Sequence, residues 1–141
     1  MAVKKVSVIH GPNLNLLGQR EPEVYGKTSL EEINKLISNE AEKLNLKIDV
    51  FQSNSESEIV DYIHNLNSDF MIINPAAFTH TSVAIRDAVT GIKIPFIEVH
   101  LSNVFAREAF RKESFFSDIS IAVISGLGVE GYLAALRFAA K

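Results

Sequence analysis

The sequence predicts an α/β fold built on a parallel sheet with helices on both faces. Three observations carry this expectation. Short apolar, β-branched runs alternate along the chain with longer stretches of helical spacing. The runs are apolar on both alternating positions, as strands covered on two sides require. The 141 residues are one domain's worth, and no Gly/Ser linker, internal repeat or low-complexity tract divides them.

The elements follow in order. Val3 to Ile9 is a β-branched strand running into the long loop His10–Lys27. Thr28 and Ser29 precede Glu31 and Glu32 as two overlapping capping-box patterns. Leu30, Ile33, Leu36, Ile37, Ala41 and Leu44 then recur at helical spacing. Lys47 to Phe51 reads as strand two, and Ser55 or Ser57 opens a helix carrying Ile59, Ile63 and Leu66. Phe70 to Ile73 is strand three. A helix from Thr81 or Ser82 stops at Gly91, and Pro95 opens strand four, Phe96 to Leu101. Val104 to Phe110 predicts a short helical turn. Ile119 to Ile124 is strand five, and Val129, Leu133, Leu136 and Ala140 mark a last helix. Five βα units of this size fit a flavodoxin-like sheet of order 2-1-3-4-5, an order inferred from size and class.

Composition excludes several functions. Cysteine is absent, which removes disulfides, thiolate metal sites and thiol nucleophiles. The formal charge of -3 supplies no basic excess for nucleic acid. The apolar run before Gly11 is short for a signal peptide, and no stretch approaches the roughly 20 apolar residues of a membrane helix. A cytoplasmic protein is expected.

In such sheets ligands sit beyond the carboxyl ends of strands one, three and four. Chemistry-bearing residues collect there. Strand one runs into His10-Gly11-Pro12-Asn13-Leu14-Asn15, and strand three into Asn74-Pro75-Ala76-Ala77-Phe78-Thr79-His80-Thr81-Ser82. Strand four carries Glu98-Val99-His100-Leu101-Ser102-Asn103. Glu98 and His100 are two apart and share a face, so the carboxylate can fix the imidazole's tautomer for acid–base work. His10 and His80 would complete a metal set, but no metal spacing appears. The plain alternative is a strand-end histidine bonded to backbone. His64 falls inside a helix and reads as a surface residue.

Arg20 and Tyr25 lie on the long first loop. A phenol titrates near ~10, and a nearby guanidinium lowers that value toward a usable base. Packing of the ring on an exposed arginine is the alternative. Asn13, Asn74, Ser102 and Asn103 offer neutral donors and acceptors, or Asx-turns. Arg86 and Asp87 lie on the third helix. Arg107 and Arg111 follow strand four and suggest an anionic ligand. Gly126-Leu127-Gly128-Val129-Glu130-Gly131 matches a dinucleotide fingerprint, but no further strand follows before Lys141. The glycines read as a turn and the start of a helix. A nucleotide- or polyhydroxy-acid-binding module remains the alternative function.

Four motifs carry a resemblance. Gly11-Pro12-Asn13-Leu14-Asn15, Arg20-Glu21-Pro22 with Tyr25-Gly26, Asn74-Pro75 with Thr79-His80-Thr81-Ser82, and Glu98 to Asn103 resemble the type II 3-dehydroquinate dehydratases over nearly the whole chain. One departure is Ala76, where many members carry glycine. The resemblance implies trans-elimination of water from 3-dehydroquinate through an enolate, with no metal and no cofactor. It implies Tyr25 as base, Arg20 as the group favouring its phenolate, and His100 as acid oriented by Glu98. Asn13 would hold the water or enolate oxygen. Asn74, His80, Leu101, Ser102 and Arg111 would bind the carboxylate and hydroxyls. Asp87 would reach a neighbouring subunit's site. A homo-oligomer, a dodecamer of four trimers, is implied as well.

Overall fold

The computed structural model describes residues 2–19, 23 and 27–141. Its frame is one five-stranded parallel sheet in the order β2-β1-β3-β4-β5. The strands are β1 (Lys5–His10), β2 (Lys47–Gln52), β3 (Phe70–Asn74), β4 (Phe96–His100) and β5 (Ala122–Ser125). The expected strand order is therefore observed. The three central strands, β1, β3 and β4, are buried along almost their whole length. This is why their sequences are apolar on both faces.

Side-chain alternation assigns each strand residue to one of two cores. Val6, Val8, Phe70, Ile72, Ile97 and Val99 pack beneath α1 (Leu30–Lys43) and α4 (Val129–Ala139). Ile9, Met71, Ile73 and Phe96 pack beneath α2 (Glu56–His64) and α3 (Val83–Ile92).

Serines decide where the helices begin. The Ser29 hydroxyl accepts from the Glu32 N–H at 3.2 Å and donates to the Glu32 carboxylate at 3.1 Å, so Ser29, not Thr28, caps α1. Ser55 caps α2 through the Glu58 N–H, and Ser82 caps α3 through the Ile85 N–H.

Besides end shifts of one or two residues, as at β1, expected over Val3 to Ile9 and observed over Lys5–His10, the structure differs from expectation at three places. Gly91 does not end α3; the helix continues to Ile92 and Lys93 takes the left-handed position at φ 60°. The predicted turn Val104–Phe110 is two 3-10 segments, Val104–Ala106 and Ala109–Lys112, so β4 is followed by no α-helix. β5 starts at Ala122 instead of Ile119. Residues Ser117–Ile119 form a 3-10 turn, and the Ser114 hydroxyl accepts from the N–H groups of Phe116 and Ser117 just before it. The Ile119 N–H is taken up inside this turn by the Phe116 carbonyl at 3.1 Å, so it is not available to the strand ladder.

Among the described residues, no helix is long and apolar enough to cross a membrane.

Candidate active site

The site is assembled at the carboxyl ends of β1, β3 and β4. A cleft opens there. Asn13, Asn74, Ala76, His80, His100, Leu101, Ser102, Arg107 and Arg111 line it. Of the expected site residues that are described, Asp87 and Glu98 are not on the wall. Asp87 is exposed on α3. Glu98 lies directly behind His100. Arg20 and Tyr25 fall outside the described residues.

Glu98 and His100 share the α2/α3 face of β4, as their spacing predicts. Nε2 of His100 lies 2.5 Å from Oε2 of Glu98. A carboxylate can only accept, so the proton of that bond sits on Nε2 and leaves Nδ1 for a ligand. Glu98 is 1% exposed. Burial opposes its charge, yet its carboxyl is held below the usual carboxylate range by the donors around it. These are His100, the Ser117 hydroxyl at 2.7 Å and the Ser114 hydroxyl at 3.0 Å. The segment that brings both serines is tied down by Arg86, which pairs with both oxygens of Asp118 and donates to the Phe115 carbonyl at 2.8 Å. Phe116 is fully buried between the serines. Neither serine was distinguishable in sequence, because their partner lies 16 and 19 residues away and depends on the path of the loop.

His80 reaches the cleft from the 3-10 segment Ala76–His80. Its Nδ1 donates to the Glu113 carbonyl at 2.6 Å, which leaves Nε2 as an acceptor in the neutral ring. Its partial burial lowers its pKa against that bond, and the charges of His100 and Arg111 act in the same direction as burial. Arg111 lies 4.9 Å over the Phe110 ring and donates to Glu108 at 2.8 Å. Arg107 donates to the Ser102 hydroxyl at 3.3 Å. Two guanidiniums beside two imidazoles and neutral amides make a wall suited to an anion bearing hydroxyl groups.

Asn74 and His10 stand side by side in the β1–β3 register, on the α1/α4 face. His10 is therefore no companion of His80 and His100. It is fully buried, with both ring nitrogens engaged by protein partners. Among the described residues no group of three His, Asp or Glu side chains is placed to hold a metal ion. His64 is exposed at the end of α2.

Backbone geometry shapes the floor. Gly11 donates its N–H to the Asn74 carbonyl at 2.8 Å, and a Cβ there would sit inside the Pro75 carbonyl. Ala76 adopts φ 53°, a left-handed conformation that a Cβ disfavours. That is a physical reason for glycine at this position in the family that the sequence resembles.

The Gly126–Gly131 motif serves packing. Gly126 turns at φ 94° against Asn103, and a Cβ on Gly131 would lie 3.2 Å from Ile124. Gly128 donates its N–H to the Leu101 carbonyl at 3.0 Å. Gly131 lets α4 approach β4 and β5 closely, Gly126 and Gly128 supply the positive-φ turn that leads into the helix, and none of the three lines the cleft.

Comparison with known proteins agrees with this fold. The family model described as dehydroquinase class II matches residues 4–140. A protein of Legionella pneumophila (strain Corby) named 3-dehydroquinate dehydratase is 56% identical over 138 residues, covering 96% of this chain and 95% of its own. The crystal structure of type II dehydroquinase from Propionibacterium acnes superposes with a TM-score of 0.93 at 40% identity, covering 99% of this chain and 97% of its own. That from Butyrivibrio crossotus DSM 2876 gives 0.95 at 39%, covering 99% of both. With the family model, the sequence identity and the superposed fold all in agreement, the chain belongs to the class II dehydroquinase family.

Proposed function

We propose that this protein is a 3-dehydroquinate dehydratase acting in the shikimate pathway, and that its cleft eliminates water from 3-dehydroquinate to give 3-dehydroshikimate. The observation that carries the reading is the buried Glu98–His100 pair, which presents an imidazole to a cleft lined by Asn74, His80, Ser102 and Arg111.

The chemistry needs a base for the C2 proton, a stabiliser for the enolate at C3 and an acid for the departing C1 hydroxyl. Tyr25 is the base, with Arg20 favouring its phenolate. Asn13 holds the enolate oxygen or a water upon it. His100 delivers a proton to the C1 hydroxyl, which leaves as water. Glu98 holds the ring and balances the imidazolium. Asn74, His80, the Leu101-Ser102 segment and Arg111 bind the carboxylate and hydroxyls. The product carries a C1=C2 double bond conjugated with the ketone.

An imine route requires a lysine at the ketone. No lysine is among the described residues lining the cleft, and Lys93 lies at the far end of the sheet, following α3. No metal or cofactor is assigned. The 141 residues act as a single catalytic domain in the cytoplasm. Copies assemble as trimers and four trimers as a dodecamer, with Asp87 reaching the site of a neighbouring subunit. Its exposure on α3 is compatible with that contact.

The experiment is direct. Purified protein is given 3-dehydroquinate and the ultraviolet absorption of the conjugated product is followed, with light scattering for the oligomer. A rising signal is expected. A folded oligomer that gives none would overturn the assignment, and stabilisation by a nucleotide instead would favour a binding module.

A further inference from the structure

The scheme above makes no use of His10 or Tyr132, yet both are fully buried polar side chains next to the site. Nε2 of His10 lies 2.8 Å from Oδ1 of Asn34, and its Nδ1 lies 3.0 Å from the Tyr132 hydroxyl. The same hydroxyl lies 3.0 Å from Nδ2 of Asn74, and Oδ1 of Asn74 accepts the Ala76 N–H at 3.1 Å. Four elements thus contribute to one chain of bonds: α1, β1, α4 and the end of β3.

The direction of each bond follows from counting donors and acceptors. Asn74 turns its amide nitrogen to Tyr132, so the tyrosine oxygen accepts there. The buried hydroxyl proton must then go elsewhere, and Nδ1 of His10 is the acceptor in reach. His10 is therefore the Nε2–H tautomer and donates to Asn34. Burial presses the His10 imidazole down to about 4, against the bond to Asn34, so the ring stays neutral and the polarity holds at neutral pH.

We infer that His10 and Tyr132 are positioning residues whose hydrogen-bond relay locks the Asn74 carboxamide in one orientation, leaving one Nδ2–H for a substrate oxygen. This rests on the reading of Asn74 as a substrate-binding group. The amide has two nearly isosteric orientations. Turning it over would present a carbonyl where a carboxylate oxygen must bind, replacing attraction by repulsion, and would reverse the bond a hydroxyl could make there. The relay removes that alternative before substrate arrives, which is the preorganisation that a binding site requires.

The test has two arms. In the first, solid-state NMR of the assembled protein with 15N-labelled histidine reads the His10 ring, assigned by its loss in His10→Asn. A neutral ring protonated at Nε2 is expected at pH 7. A ring protonated at Nδ1, or an imidazolium, overturns the relay. In the second, kcat and KM for 3-dehydroquinate are measured for Tyr132→Phe, His10→Leu and His10→Asn. Asparagine puts an acceptor close to the place of Nδ1, and leucine does not. KM should rise about tenfold in Tyr132→Phe and His10→Leu, the scale of one misplaced hydrogen bond, with recovery in His10→Asn. A merely structural role would lower the active fraction, and so apparent kcat, while leaving KM alone; that result, or equal effects of leucine and asparagine, overturns the proposal. If a variant does not fold, the NMR result on the unsubstituted protein decides. If the unsubstituted protein is inert towards dehydroquinate, the reading of the site fails, and the tautomer still decides the relay.

Discussion

The imidazole of His100 meets the carboxylate of Glu98 at 2.5 Å in a pocket where Glu98 is 1% exposed and also receives the Ser114 and Ser117 hydroxyls. Three donors converge on one buried carboxylate. Its charge is thereby retained and its position set, and the histidine is held from behind while its other nitrogen faces the cleft. Glu98→Gln removes the charge and keeps the shape. We expect kcat to fall by roughly ten- to a hundredfold with a smaller change in KM, because the charge acts on the proton transfer and not on substrate binding. Steady-state kinetics on the folded variant checks this.

Tyr25→Phe should abolish turnover while the oligomer and its far-ultraviolet circular dichroism are unchanged. The reasoning is chemical: the phenolate is the base in the proposed scheme, and phenylalanine has nothing to accept the C2 proton. A near-normal kcat would remove Tyr25 from that role.

Gly11→Ala should be strongly destabilising, by about 2–3 kcal/mol or more, since the added methyl would overlap the Pro75 carbonyl. Both partners are backbone of neighbouring strand ends, so neither can swing aside. The urea midpoint at fixed protein concentration measures the loss.

Ala76→Gly should act in the opposite sense. The residue sits at φ 53°, where a left-handed alanine costs about 1 kcal/mol relative to glycine. A gain of roughly 0.5–1 kcal/mol is expected in the same denaturation assay, with turnover retained.

Stability should fall on acidification in two windows. His10 titrates near its ordinary 6.5 when unfolded and near 4 when folded, because burial disfavours its charge. Between those values the unfolded chain binds the extra proton. The stabilising contribution of neutral His10 is thus complete above about pH 6.5 and is lost as pH falls toward 4. It amounts to about 3 kcal/mol per chain. The folded pKa of Glu98 is depressed below 4.5, so its contribution is present above that value and is lost at more acidic pH. Denaturation midpoints from pH 8 to pH 4 should show the first window in the unsubstituted protein and a flatter profile in His10→Asn.

The helix starts and the strands were legible because their signals are local, whereas the strand order followed from chain length and fold class. Ser29 with Glu32, Ser55 and Ser82 announce helix starts within four residues, and doubly apolar runs announce strands buried on both faces. The Glu98–His100 pair was legible for the same reason, since residues two apart on a strand share a face. The wrong end of α3 at Gly91 and the missing helix after β4 share a different cause. Lys93 accepts the left-handed turn, and the segment after β4 is broken into two 3-10 turns that bring Arg107 and Arg111 to the cleft, so tertiary context overrode the local preference.

By itself, the sequence determined the class of fold, the strand ends at which chemistry collects and the family. Each depends on periodicity or on motifs within a few residues. Only the tertiary structure decided how the histidines divide. His10 and His100 both terminate central strands, but alternation turns one toward α1 and α4 and the other toward the cleft wall. It also decided the partners. Tyr132 reaches Asn74 across 58 residues, and Ser117 reaches Glu98 across 19. Such contacts follow from how the layers pack, and no short-range pattern encodes them.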